Sequence, residues 1–178
     1  MSLHILDIAE NGIGAGASLI DIAVTEDVKE NRLIIDIKDN GRGIPADLLA
    51  HVLDPFYTTR TTRRVGLGLS LFREASKRCE GDFKISSRQG EGTEVTATFR
   101  LDHIDLAPLG NMAGSLTSLI MGNPNVDFVY THKVDGKTFR LDTREVKKEL
   151  EGAEITRPGV IKFLGDMIRE SLADIRTV

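Results

Sequence analysis

Asp39-Asn40-Gly41-Arg42-Gly43-Ile44-Pro45 follows directly on Arg32–Lys38, where apolar and polar residues alternate. A period of two marks a half-buried strand, and the Asp/Asn/Gly run marks a sharp change of direction at its carboxyl end. A carboxylate placed there can accept a hydrogen bond from an exocyclic amine. Two glycines with one residue between them let a flat ring lie against bare backbone. Ordinary turns use the same residue types, so what this stretch does depends on what flanks it.

Upstream, Leu19–Thr25 alternates in the same way and is separated from Arg32–Lys38 by Glu26–Asn31, which predicts a hairpin. Before it, Leu3–Gly12 has helical spacing, with Ser2 as a candidate cap and Gly12, Gly14 and Gly16 ending it. Downstream, Ile44–Leu53 predicts a short amphipathic helix, and Asp54–Val65, rich in Thr and Arg, a mobile loop. Leu67–Cys79 predicts a helix that buries Leu69, Leu71, Phe72 and Ala75 and ends at Gly81. Asp82–Arg88 and Thr93–Leu101 then form a second strand pair. Helix, strand pair, helix, strand pair makes a two-layer α/β sandwich with helices on one face of one sheet.

Three more clusters carry chemistry. On the first helix, His4, Asp7 and Asn11 share a stripe, since residues three and four apart are neighbours. An amide beside a carboxylate suits a magnesium ion that also holds phosphate and water; it also suits a solvated polar face. Gly66-Leu67-Gly68-Leu69-Ser70 opens a helix, where free N–H groups and the helix dipole favour phosphate. No Lys-Ser/Thr pair follows, which excludes a P-loop, and the third glycine of the dinucleotide fingerprint is missing. Gly90-Glu91-Gly92-Thr93 lies between two strands and would suit any hairpin.

Together and in this order, the four clusters resemble the N, G1, G2 and G3 boxes of the superfamily that joins DNA gyrase, the heat-shock-90 chaperones, histidine kinases and MutL. Asp54-Pro55-Phe56-Tyr57-Thr58-Thr59 also resembles the F box of histidine kinases. The resemblance spans about residues 1–101 and implies a Bergerat ATP-binding fold. By that resemblance, Asn11 binds Mg2+, Asp39 the adenine amine, and Gly41 and Gly43 the purine ring. Thr93 joins Asp39 around the base through a water. Gly66, Leu67, Gly68 and Leu69 cradle phosphates, while Thr58, Thr59 and Arg60 belong to a lid in which Arg60 meets the γ-phosphate. Hydrolytic members carry a glutamate four residues before the magnesium asparagine. Asp7 holds that position, one methylene shorter, as the candidate general base. Arg64 stands where histidine kinases usually have a further glycine, and no helical hairpin with a phospho-acceptor histidine precedes the first box.

Residues 1–102 are therefore expected to bind ATP, and residues 103–178 to form a small α+β accessory module of unknown role. In the latter, helices are predicted over Leu109–Met121, Thr143–Glu151 and Gly159–Ile175, with a hairpin of Phe128–Val134 and Thr138–Leu141 around Asp135-Gly136. Asp102–Leu109 is a candidate linker. A net charge of −4 without a long basic run argues against nucleic acid as a partner. Cys79, the single cysteine, forms no internal disulfide, and no Cys/His spacing suits zinc. With no apolar run of about 18 residues and no leader, a soluble cytoplasmic protein is expected. Two functions fit: ATP hydrolysis or phosphoryl transfer to a partner protein, or a nucleotide-gated binding switch like the kinase-related anti-sigma factors. Oligomeric state stays open.

Overall fold

A computed structural model describes residues 1–49, 51–52 and 67–177, with the backbone alone of Leu67. Its helices and strands run α1 (Ser2–Gly14), β1 (Leu19–Asp27), β2 (Arg32–Asp39), α2 (Ala46–Leu49), α3 (Leu67–Arg78), β3 (Phe83–Arg88), β4 (Gly92–Arg100), α4 (Met112–Gly122), β5 (Asp127–Val134), β6 (Lys137–Asp142), α5 (Thr143–Glu149) and α6 (Pro158–Arg176). The strands form one six-stranded sheet in the order β3-β4-β2-β1-β5-β6. Both predicted strand pairs are antiparallel hairpins, with Ile22 opposite Ile37 in the first and Ile85 opposite Val95 in the second.

Alternation decides which face is covered. Ile20, Ile22 and Val24, Leu33, Ile35 and Ile37, Val95, Ala97 and Phe99, and Phe128 and Tyr130 are all buried. Their neighbours Asp21, Lys38 and Glu94 are exposed, as expected for a sheet with one face in water. Over the apolar face, α1 packs on β1 and β2, α3 on β3 and β4, and α6 on β5 and β6, with α4 between α1 and α6. The chain after residue 102 has the expected α+β content and extends the same sheet, because β5 lies parallel to β1 with Tyr130 beside Ile22. The preceding segment turns back to the start of α1, where the Met1 amine donates to the Pro108 carbonyl and Ser2 N–H to that of Leu109.

Local readings need correction at four places. Ser2 is inside α1, buried, and makes no capping bond; the flanking chain at Pro108 and Leu109 takes those donors instead. Leu71 is exposed, because α3 meets the sheet through Phe72, which stacks on His4 and touches Phe83 and Phe99. The left-handed residue that ends α3 is Glu80, φ 53°, rather than Gly81. Of the helix expected over Ile44–Leu53, the described residues show one turn, Ala46–Leu49, with no side chain fully buried.

A buried polar chain fastens the carboxyl end of α6. His132, fully buried, lies 2.7 Å from the Tyr130 hydroxyl through Nδ1 and 2.7 Å from Glu26 Oε1 through Nε2. Arg176 donates to the same Glu26 oxygen at 2.6 Å. Burial holds the Tyr130 phenol above its ordinary pKa, so it keeps its proton beside Nδ1. The Glu26 carboxylate can only accept, so His132 donates to it from Nε2. Burial pushes the Glu26 carboxyl up, but the bonds from His132 and Arg176 outweigh it and hold it below the usual glutamate range. A depressed carboxylate stabilises the fold above its unfolded pKa and loses that contribution as pH falls through the folded value. Glu26→Gln is therefore expected to cost about 1–3 kcal/mol near pH 7, with the gap to the parent closing in acid. Denaturant midpoints measured at both pH values check this; a gap unchanged in acid contradicts it.

Candidate functional site

The site is assembled around the carboxyl end of β2. Asp39 is the last residue of that strand and half-buried. Its Oδ1 accepts from Gly41 N–H at 2.8 Å, which folds the chain back over the strand end. Burial raises the Asp39 pKa above the usual aspartate range, against the opposing pull of the Gly41 and Thr93 backbone N–H groups. Helix α1 passes directly over it. A Cβ at Gly12 would lie 2.8 Å from Asp39 Cβ and 2.7 Å from Ile20 Cδ1. The expectation that Gly12 ends α1 is thus corrected: it is inside the helix, where its missing side chain admits Asp39.

The loop after Asp39 is tied on every side. Asn40 Oδ1 accepts from Ser18 and Leu19 N–H, both at 2.9 Å, and its Nδ2 donates to Ser18 Oγ. Arg42 N–H donates to the Ala15 carbonyl, and Gly90 N–H donates to the Arg42 carbonyl at 2.7 Å. Gly43 has φ +67°, and a Cβ there would fall onto the Arg88 carbonyl. Gly41 is buried, with its back against Ala15. Both glycines therefore have a packing reason to be glycine.

Cross-strand register supplies the next residues. Thr93, near the start of β4, stands opposite Asp39, and Ser87 on β3 stands opposite Thr93. Paired residues share a face, so Asp39, Thr93 and Ser87 form a row across three strands. Ser87 Oγ is 2.8 Å from Ile44 N, 2.8 Å from Gly92 O and 2.9 Å from Thr93 Oγ1. The motif reading passed over Ser87. The signal for it was the hairpin register, which sets it opposite Thr93 across the Arg88–Gly92 turn.

Asp7 and Asn11 are both on α1 and half-buried. The first turn of α3 approaches Asp7 closely: a Cβ at Gly68 would lie 3.3 Å from Asp7 Cβ. Asp7 and the opening of α3 thus lie side by side, with Asn11 one turn further along α1. Leu69 turns its side chain into the core, leaving main chain as what it can offer a ligand. His4, on the same stripe, is engaged with Phe72, ring centroids 5.3 Å apart. Burial, then the nearby Met1 amine, lower its pKa against Asp7. No group of three or more His, Cys, Asp or Glu among the described residues could hold a metal by itself. Asp7 and Asn11 offer one carboxylate and one amide, oxygen donors of the kind magnesium takes alongside phosphate and water. Thr58, Thr59, Arg60, Arg64 and Gly66, the Asp54–Thr59 box and the loop reading of Asp54–Val65 lie outside the described residues.

Comparisons agree with this geometry. A family model described as "Histidine kinase-, DNA gyrase B-, and HSP90-like ATPase" matches residues 3–103. The sensor histidine kinase YxdK of Bacillus subtilis is 39% identical over 74 residues, covering 39% of this chain and 23% of the relative. The sensor protein kinase WalK of Staphylococcus haemolyticus is 33% identical over 95 residues, covering 51% of this chain and 16% of the relative. The chain thus spans less than a quarter of the length of these relatives. The Aquifex aeolicus MutL ATPase domain, solved with ADP, superposes with a TM-score of 0.50 over 85% of this chain and 67% of its own, at 17% identity, a likeness of fold. No helix among the described residues is long and apolar enough to cross a membrane.

Proposed function

Because the chain belongs to the family of histidine kinase-, DNA gyrase B-, and HSP90-like ATPases, we propose that it binds ATP with Mg2+ between α1, the end of β2, the start of β4 and the first turn of α3. There it hydrolyses the nucleotide or passes its γ-phosphoryl group to a partner protein. The observation that carries this reading is Asp39: a half-buried acceptor at a strand end, pinned by Gly41, with Gly12 against it and Thr93 opposite. Such a carboxylate suits the adenine amine, which guanine replaces with a carbonyl.

Each remaining residue takes a role that its position supports. Gly41 and Gly43 flank the purine, Thr93 completes its polar edge, and the main chain at Leu67, Gly68 and Leu69 meets the phosphates with the α3 dipole behind it. Asn11 would hold the magnesium ion, which neutralises charge between phosphate oxygens. Asp7 is the candidate base. Thr58, Thr59, Arg60 and Gly66 keep the roles their motifs imply. Residues 1–102 carry the nucleotide site, and residues 103–178 extend its sheet and serve the partner in the cytoplasm. The matched relatives described above are kinases, which supports phosphoryl chemistry over a purely gated switch.

Calorimetry tests the base assignment. Asp39→Asn is expected to weaken ATP binding by about 1–3 kcal/mol, because a charged acceptor is lost. GTP is expected to compete poorly with ATP on the parent. Equal affinity of the parent for ATP and GTP would sink the adenine assignment.

A further inference from the structure

Ser87 Oγ has three partners and only one proton. Ile44 N–H can only donate, so it takes one lone pair of the serine oxygen. The Gly92 carbonyl can only accept, so at 2.8 Å it claims the serine proton. The contact with Thr93 Oγ1 at 2.9 Å could in principle run either way. With the serine proton committed, it runs from Thr93 into the second lone pair of Ser87. The opposite assignment would leave the Gly92 carbonyl facing a serine lone pair at hydrogen-bond distance, which is repulsive.

The consequence falls on the Asp39–Thr93 edge. The Thr93 proton is directed along β4–β3 toward Ser87, away from Asp39 on the other side of the row. Thr93 then offers only lone pairs to whatever enters. Asp39, when ionised, also offers only lone pairs. Both polar groups on this edge therefore demand a donor, directly or through a water that hands its proton on.

We propose that Ser87 is a positioning residue that orients the Thr93 hydroxyl, so that the Asp39–Thr93 edge faces the base as acceptors only and selects the 6-amino edge of adenine over the 6-carbonyl edge of guanine. The proposal rests on the nucleotide reading above and adds to it the device that enforces base choice. Ser87 itself touches Ile44, Gly92 and Thr93 and reaches the base through Thr93. Freed from Ser87, the Thr93 hydroxyl can rotate and donate, which costs the amine an acceptor and provides the guanine carbonyl with a partner.

The experiment is calorimetric titration of the whole chain with ATP and with GTP, read as the ratio of the two affinities. In Ser87→Ala this ratio is expected to fall about five- to tenfold, roughly what one neutral hydrogen bond contributes. Ser87→Thr, which keeps a hydroxyl at this position, is expected to restore most of it. Simple loosening of the loop by loss of the Ile44 bond would weaken both nucleotides alike and leave the ratio unmoved. In a Thr93→Val background, Ser87→Ala is expected to leave the ratio unchanged, since no hydroxyl remains to orient. Should Ser87→Ala fail to fold, Ser87→Cys, of similar size and a weaker donor, is read in the same way. A parent that prefers ATP, loses that preference in Asp39→Asn, and keeps it in Ser87→Ala would overturn this inference alone. A parent with no preference overturns the base assignment and this inference with it.

Discussion

Asp7→Asn is expected to lower steady-state phosphate release by about 10²–10⁴-fold while leaving nucleotide affinity close to the parent's. Asp7 is one helical turn before Asn11, so a carboxylate and the amide proposed to hold the metal project from the same stripe of α1. Its shorter reach than a glutamate's is the apparent weakness of the assignment. The packing of α3 answers it. Even a bare Cβ at Gly68 would lie only 3.3 Å from Asp7 Cβ, so phosphates bound at that turn as proposed would come to the shorter side chain. The asparagine keeps the shape and hydrogen-bonding reach and removes only the basicity. Equal rates in parent and variant, above background, would remove Asp7 from catalysis. Background rates in both, with no labelled product from a lysate supplied with labelled ATP, would remove catalysis altogether.

Gly92→Ala is expected to destabilise the fold by about 3–5 kcal/mol, at the upper end of single substitutions. Gly92 has φ +107°, where a side chain is strained, and its Cβ would fall onto the Asp39 carbonyl oxygen. That carbonyl belongs to the end of β2, so relief requires β2 and β4 to separate beside Asp39 and Thr93. Nucleotide binding should disappear along with stability. Gly90→Ala is the matched control. Gly90 is two residues away with φ +83°, but its Cβ would enter open space. Only the left-handed backbone is then penalised, by about 1–2 kcal/mol. Chemical denaturation of the two variants separates steric clash from backbone preference; equal losses would show that the close approach at Gly92 carries no weight.

Much of the sheet was legible because period-two patterns are dictated by burial on one face. Ile20, Ile22 and Val24, and Leu33, Ile35 and Ile37, all point into the core as their alternation requires. Residue type singles out Asp39 and Thr93, which register sets opposite each other, and Asp7 and Gly68, which pack together. What stayed hidden depends on partners distant in the chain. Nothing in Asp127–Val134 announces that its neighbour is β1, more than a hundred residues earlier. Glu26 was placed in a hairpin turn, yet it ends up paired with His132 and Arg176. Leu71 was counted as core because leucine is apolar, whereas a short helix such as α3 buries only the stripe that meets the sheet. Ser87 was invisible as a motif, since a serine in a strand means nothing until register sets it opposite Thr93.

The proposed site at the end of β2 takes ATP by its adenine amine. The most direct measurement is a crystal structure of the chain with a non-hydrolysable ATP analogue and Mg2+. The exocyclic amine is expected within hydrogen-bond distance of the Asp39 carboxylate, the metal on Asn11, and the phosphates at the first turn of α3. A nucleotide bound elsewhere, or with its ring turned away from Asp39, would contradict it.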